Sequence, residues 1–457
     1  MRVDLAGRLA RLDRIGLIRV GGAMALSRAL SIVTGVLLSV LLARHLGAAG
    51  YGGYLFALTV AQMLAMPVLL GLPTLLMRQI AVYRSDNDAE RLAGVVRWSL
   101  KFVLTTFAAV VIGFSIFLVA SRAMSAGLDQ VTPLYLLTLP LVAALACLQL
   151  ASAFLQGFDR PLIASLPDSL IRPALLLALI SILIGLDILT PALTMALHVV
   201  AALAAFSWAV VMVVRHCDIS AIKSGPSRIE PRRWLGSLLP LSVLVGAGLI
   251  NSRLDVFMLG TLTSNENVAL YGIATQIAGI AGVAYLIPST IIAPRIVTAH
   301  QKGDAAEVQK ICQAASIVSL AASATFFVVL ALLGEMIVGI LLGASYGGAI
   351  VIALVLCVGQ LIIASMGPAM VALNMMGREY SVTNAVLVSA GLNGCLNAFL
   401  IPWYGGLGAA LATVVSSAVS QIYCATRLNT YFGVKIGPIS LVTSRGPTRH
   451  RQRSSGR

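Results

Sequence analysis

The 457-residue sequence carries few ionisable side chains, and the few that fall inside long apolar runs are the ones that could do chemistry. Arg28, Arg253 and Asp255 are such residues. An ionisable group at membrane depth costs about 2.5–3.5 kcal/mol on insertion scales, so it pairs, lines a wet cavity or snorkels to an interface. Arg28 lies early in the first apolar run, where it either reaches the headgroups or lines a cavity. Arg253 and Asp255 are two residues apart, about 200° around a helix, so they do not share a face. A local pair does not explain both; partners on neighbouring helices or a role at a cavity wall remain open. Arg44, Arg78 and Arg295 stand at the ends of apolar runs. Arg78 and Arg295 either orient the chain or flank an opening. Arg44 sits where a basic residue works against orientation. A guanidinium is a planar fork of donors suited to phosphate and carboxylate. The deep charges of the first half lack carboxylates, so the ligand they suit is anionic rather than cationic. Asp168 and Arg172, four residues apart, read as an ordinary helical ion pair.

No catalytic constellation accompanies these charges. The histidines, His45, His198, His216, His300 and His450, are far apart, and there is no Walker A loop, HExxH or GxSxG. The cysteines, Cys147, Cys217, Cys312, Cys357, Cys395 and Cys424, show no CxxC pair and read as reduced apolar residues. The expectation is a protein that is not an enzyme, with no cofactor and no metal.

The elements that must position the charges follow from composition. The chain is 59% hydrophobic and 11% charged, with a mean hydropathy of +0.95. Soluble domains carry about a quarter charged residues, so a soluble enzyme is excluded and a polytopic membrane protein remains. A span needs about 20 apolar residues. Twelve runs qualify: 22–43, 53–76, 99–120, 132–156, 163–186, 190–214, 236–260, 267–292, 313–334, 346–375, 380–401 and 406–428. Helices are the natural assignment, because lipid offers backbone polar groups no partners.

The net charge of +15 suggests oriented basic loops rather than nucleic acid. With the N-terminus inside, 28 of the 32 Lys and Arg fall in or beside inner segments, and only Arg44 and Arg122 fall outside. Both termini are then cytoplasmic. Residues 1–21 read as an amphipathic cytoplasmic segment, not a cleavable leader. Residues 215–235 form a charged connection between a first lobe, 22–214, and a second, 236–428. Residues 429–457 read as a basic, disordered tail. Two sets of six spans entering from one side predict a parallel repeat. A shift of 217 residues supports it, bringing Tyr54 to Tyr271 and Arg78 to Arg295.

Several short stretches add a resemblance: LGAAGYGGYLFAL at 46–58, GLPTLLMRQIA at 71–81, FLQGFDRP at 154–161, NSRLDVFMLG at 251–260 followed by Tyr271, and LIPWYGGLGAALAT at 400–413. In order and spacing the chain resembles the polysaccharide biosynthesis flippases of the multidrug/oligosaccharidyl-lipid/polysaccharide exporter superfamily. The resemblance implies an all-α fold of about twelve transmembrane helices in two six-helix lobes around a central cavity, as in MATE transporters. It implies a bacterial inner-membrane protein moving a lipid-linked oligosaccharide, usually on a polyprenyl pyrophosphate, by alternating access. It places Arg28, Arg253 and Asp255 in a charged lumen and Arg78 and Arg295 beside inner loops. Membrane lipids, H+ or Na+ coupled at Asp255, and a polysaccharide polymerase or export complex are the further partners to expect. The rival within the superfamily is an ion-coupled drug or metabolite antiporter, which would want deep carboxylates in the first lobe. Peptidoglycan lipid flippases usually have two further helices, and the polar stretch after 428 does not supply them.

Overall fold

The computed structural model describes the backbone of residues 2–124, 132–217 and 227–436. Side chains are described from Ser27 onward, save those at 28, 29, 118, 120–124, 132, 133, 240 and 244. No strand occurs among the described residues. In chain order the helices are α1 (Arg2–Leu69), α2 (Leu72–Ser85), α3 (Ala89–Met124), α4 (Thr132–Leu136), α5 (Thr138–Gly157) and α6 (Pro161–Leu166). A π-turn at Pro167–Ile171 leads into α7 (Arg172–Gly185) and α8 (Pro191–His216). The second half contains α9 (Pro231–Leu262), α10 (Asn265–Gln301), α11 (Ala305–Leu342), α12 (Gly348–Met366), α13 (Pro368–Met375) and α14 (Glu379–Phe432).

Starts and stops follow local chemistry. Proline opens α6, α8, α9 and α13, where its missing N–H costs nothing. Thr190 accepts from the Leu193 amide at 3.2 Å to cap α8, and Asp304 accepts from Glu307 at 2.9 Å to cap α11. Large apolar side chains such as Leu104, Ile116, Leu239 and Leu332 are exposed along these helices, as a lipid-facing surface requires.

Ten helical stretches among the described residues are long and apolar enough to cross a membrane. Two are too long for one crossing: Leu30–Leu69 has 40 residues and Glu379–Phe432 has 54. Each contains one glycine out of helical conformation, Gly47 (φ 68°, ψ 175°) in α1 and Gly405 (φ 54°, ψ −129°) in α14. A residue with a Cβ is strained in either conformation. Divided there, the ten stretches become the expected twelve, six before the connection and six after it.

Some boundaries differ from expectation. The run 53–76 is interrupted where Leu70 and Gly71 take positive φ, ahead of Pro73. The run 346–375 breaks at Gly367, before Pro368. Within the charged connection, 218–226 lie outside the described residues, but α9 already begins at Pro231. The amphipathic segment 1–21 continues into α1 as helix. The tail expected to be disordered from 429 is helical to Phe432, and 437–457 lie outside the described residues.

The halves repeat in their turns. Asn87 and Gly303, Asp159 and Gly377, and Asp187 and Gly405 all have positive φ, and the members of each pair stand about 217 residues apart. The helix-ending geometry is thus conserved between halves where side-chain identity is not.

The most extensive contact between the halves runs along α1 and α10. It is tightest near Gly47. A Cβ on Gly52 would collide with the Asn265 carbonyl, and one on Gly260 with the Phe56 ring. Tyr346 donates to the Ala43 carbonyl at 3.0 Å. At the opposite end the start of α9 is tied to α2 and α3. Trp234 stacks near Trp98 with centroids 5.2 Å apart and donates to Tyr83 at 3.1 Å. Glu230 gathers Arg228 at 3.0 Å, Arg91 at 3.1 Å and Arg233 at 3.4 Å. Desolvation works to raise the Glu230 carboxyl, but these guanidiniums outweigh it and hold it below the ordinary glutamate range.

Gly260→Ala should cost about 1–3 kcal/mol by overpacking, and Phe56→Leu should relieve it, because the obstacle is a side chain. Gly52→Ala meets backbone and should find no such relief. Thermal unfolding of the purified variants checks this; an unperturbed Gly260→Ala, or one that Phe56→Leu does not rescue, would contradict the packing.

Candidate functional site

Asp255 sits on α9 with only 6% of its surface exposed. Three neutral donors surround its carboxylate. Tyr271 of α10 and Thr413 of α14 donate to Oδ2, each at 2.6 Å. Asn397 of α14 donates to Oδ1 at 2.6 Å, and its Nδ2 also lies 3.0 Å from Asn393 Oδ1. Asn393 and Asn397 are one helical turn apart, so both amides face the same way. The break at Gly405 folds the rest of α14 back, which returns Thr413 to the same cluster. No cation pairs with Asp255 among the described residues. Asn397 Oδ1 is buried without a donor. Turning the amide over would set this oxygen against the carboxylate, so the observed orientation is the favourable one. The cluster holds more acceptors than donors, which suits a small cation or a proton.

The cluster borders a cavity of about 280 Å³ whose lining includes Arg253, Asp255, Tyr271, Thr275, Gln360 and Thr413. Arg253 is partly buried and makes no hydrogen bond or ion pair among the described residues.

Arg172 is held from three sides. Its Nε and Nη2 donate to Asp168 Oδ1 at 3.0 and 2.7 Å. Its Nη1 lies 2.7 Å from His198 Nε2, and His198 Nδ1 lies 2.8 Å from the Tyr54 hydroxyl. A guanidinium only donates, so Nε2 accepts and the imidazole proton sits on Nδ1, donated to Tyr54. The imidazole is thereby fixed as a neutral tautomer. The π-turn between Asp168 and Arg172 closes with the Arg172 amide on the Pro167 carbonyl. Pro173 has no N–H to continue the α-helical pattern, which favours the wider turn.

A second cavity, about 600 Å³, lies in the first half between α1, α2, α5 and α6 and includes Asp168 in its wall. A third, about 250 Å³ and lined almost wholly by carbon, lies between α1, α10 and α11. Arg44, Arg78 and Arg295 are exposed and line none of the three. Arg28 lies in α1, with its side chain outside the described residues. The structure thus brings Arg253 and Asp255 to one cavity with Thr413 in its wall, sets Asn393 and Asn397 behind Asp255, and builds a separate network of Arg172, His198 and Tyr54 in the first half. Sequence reasoning took Arg172 as half of an ordinary helical ion pair and His198 as isolated. The one available signal was the Asn393–Asn397 spacing inside an apolar run.

Known proteins share this architecture. A MATE-family multidrug resistance transporter of the MOP superfamily in an inward-facing conformation aligns with a TM-score of 0.72, at 14% identity, over 88% of this chain and 95% of its own. The lipid II flippase MurJ in an inward closed conformation aligns with a TM-score of 0.71, at 15% identity, over 90% and 87%. An outward-facing MATE-family transporter aligns with a TM-score of 0.60, at 13% identity, over 90% and 95%. At such identities the likeness concerns the fold. In sequence, the "Probable low-salt glycan biosynthesis flippase Agl15" of Haloferax volcanii is 25% identical over 192 residues, 41% of this chain and 40% of that relative. The match therefore spans well under half of the relative's length. Residues 20–300, more than half of the chain, match the family described as polysaccharide biosynthesis proteins, and the chain belongs to that family of multi-pass membrane proteins.

Proposed function

We propose that this protein is a flippase of the bacterial plasma membrane. It moves a polyprenyl-pyrophosphate-linked oligosaccharide from the inner to the outer leaflet by alternating access, for cell-surface polysaccharide biosynthesis. The observation that carries the reading is Arg253, which stands at a cavity wall and makes no hydrogen bond or ion pair among the described residues. A pyrophosphate there would meet a guanidinium whose donors are unspent. Binding shared by both halves would draw them together, which is the event a rocking mechanism needs. In the first half the only acidic group at a described cavity wall is Asp168, already paired with Arg172, which favours an anionic over a cationic cargo.

Basic residues place the N-terminus and the Arg84–Arg91 and Arg228–Arg233 regions in the cytoplasm. The tight seam at Gly52, Phe56 and Gly260 is then at the outer face, and the Trp234 and Glu230 contacts are at the inner one. The polyprenyl chain stays in lipid while the headgroup crosses. Coupling to Na+ or H+ is assigned to Asp255, where Asn397 Oδ1 and the carboxylate supply oxygen ligands without a positive partner. A polysaccharide polymerase or export complex would receive the product.

Arg253→Ala should cut surface polysaccharide roughly tenfold or more and accumulate lipid-linked saccharide in the inner leaflet, with Arg253→Lys retaining part of the activity. Unchanged polysaccharide at normal protein level would defeat the anion role. In proteoliposomes, an imposed sodium or proton gradient should accelerate flipping by the wild type and not by Asp255→Asn; a wild-type rate indifferent to both gradients removes the coupling. Reporter fusions after residues 128 and 225 should read outside and inside, and the reverse would overturn the orientation.

A further inference from the structure

The 600 Å³ cavity of the first half has the size of a ligand pocket and a lining unlike that of the arginine site. On α5, Gln149, Ser152 and Gln156 follow at i, i+3 and i+7, a single stripe of one helix face. Around them Leu150, Ala153, Phe154 and Leu155 are buried. Both glutamines are exposed, yet neither amide finds a hydrogen-bond partner among the described residues. Ser152 Oγ is buried from solvent and unpartnered, so it stands behind the surface that the glutamines present. Unpaired amides are costly against lipid, so the two glutamines face a wet chamber that suits a polar occupant. Across the chamber stand Ser27, Thr74 and Asp168. Both Arg172 contacts use Asp168 Oδ1, which leaves Oδ2 to accept from elsewhere.

No lysine, arginine or aromatic side chain lines the chamber among the described residues. Among the described residues a pyrophosphate there would meet a carboxylate and no cation. A polyprenyl chain would strand the amides. Hydroxyl groups, which both donate and accept, match amides that do the same and a carboxylate that accepts.

We infer that this chamber is the subsite for the glycan of the cargo, a neutral polyhydroxylated saccharide, with Gln149 and Gln156 setting which sugar is accepted. The inference rests on the flippase reading and deepens it. Asp168 faces the chamber and also orients Arg172, so the chamber wall is tied to the charged network of the first half.

The test uses the purified full chain in lipid nanodiscs and two probes. One is undecaprenyl pyrophosphate without sugar. The other is the lipid-linked saccharide pool extracted from cells that lack this protein. Wild type should bind the saccharide-linked pool at least about tenfold more tightly than the bare carrier. Gln149→Leu with Gln156→Leu should erase that preference while bare-carrier affinity stays within about twofold, whereas Arg253→Ala should weaken both probes alike. If the double variant does not purify folded, Gln149→Ala and Gln156→Ala singly should each reduce the preference about threefold. A wild type that binds both probes equally, or glutamine variants that weaken both equally or neither, overturns the subsite and spares the flippase. A wild type that binds neither probe removes the flippase reading and the subsite with it.

Discussion

A charge inside a bilayer has to be solvated by the protein or by water the protein admits, and the two halves of this molecule meet that demand in opposite ways. In the first half the charge is positive and surrounded. Arg172 spends its donors on Asp168 and on a neutral histidine that is itself held by Tyr54. In the second half the charge is negative and carries only neutral donors, from Tyr271, Thr413 and Asn397. Arg253, close by in sequence, does not neutralise Asp255, because the helix points the two apart. Among the described residues, Arg172 is thus fixed by its partners, Arg253 makes no ion pair and Asp255 has no cation against it.

The packing between halves gives these sites a way to act. Small residues at one end let backbone approach backbone, as at Gly52 and Asn265, which is how membrane helices associate when lipid removes the hydrophobic drive. Tyr346 adds a hydrogen bond to the Ala43 carbonyl at that end. The clusters around Arg172 and Asp255 are each built within one half, so neither depends on a side chain donated across the seam.

Much of the fold was legible because it follows from one-dimensional signals. Length and hydropathy give the crossings, two of which the breaks at Gly47 and Gly405 separate from their neighbours. The repeat was faint in side-chain identity but is plain in the turns, since Asp159 and Gly377 serve one backbone geometry with different residues. What remained hidden depended on contacts between distant segments. His198 reaches Tyr54 across 144 residues, and no local spacing announces it. Arg172 looked complete beside Asp168, although a guanidinium has donors enough for a second partner. The interruption at Leu70–Gly71 is similarly tertiary in origin: Ser242 of α9 donates to the Leu70 carbonyl freed by the turn.

The lipid-linked cargo proposed above has three chemically distinct parts, and the molecule offers three distinct linings. Charge suits the pyrophosphate, neutral amides suit the glycan, and the apolar outer surface suits the chain. A lone guanidinium at a cavity wall would hold any polyprenyl pyrophosphate, including a bare carrier that bears no sugar. Discrimination has to come from groups that are left unpaired when the sugar is missing. The stripe on α5 has that property: without a sugar opposite, Gln149 and Gln156 are left to water, and the bare carrier gains nothing from them. Affinity and selectivity then reside on different helices, so the glycan specificity can change by substitution along α5 while the anion site and the coupling carboxylate stay as they are.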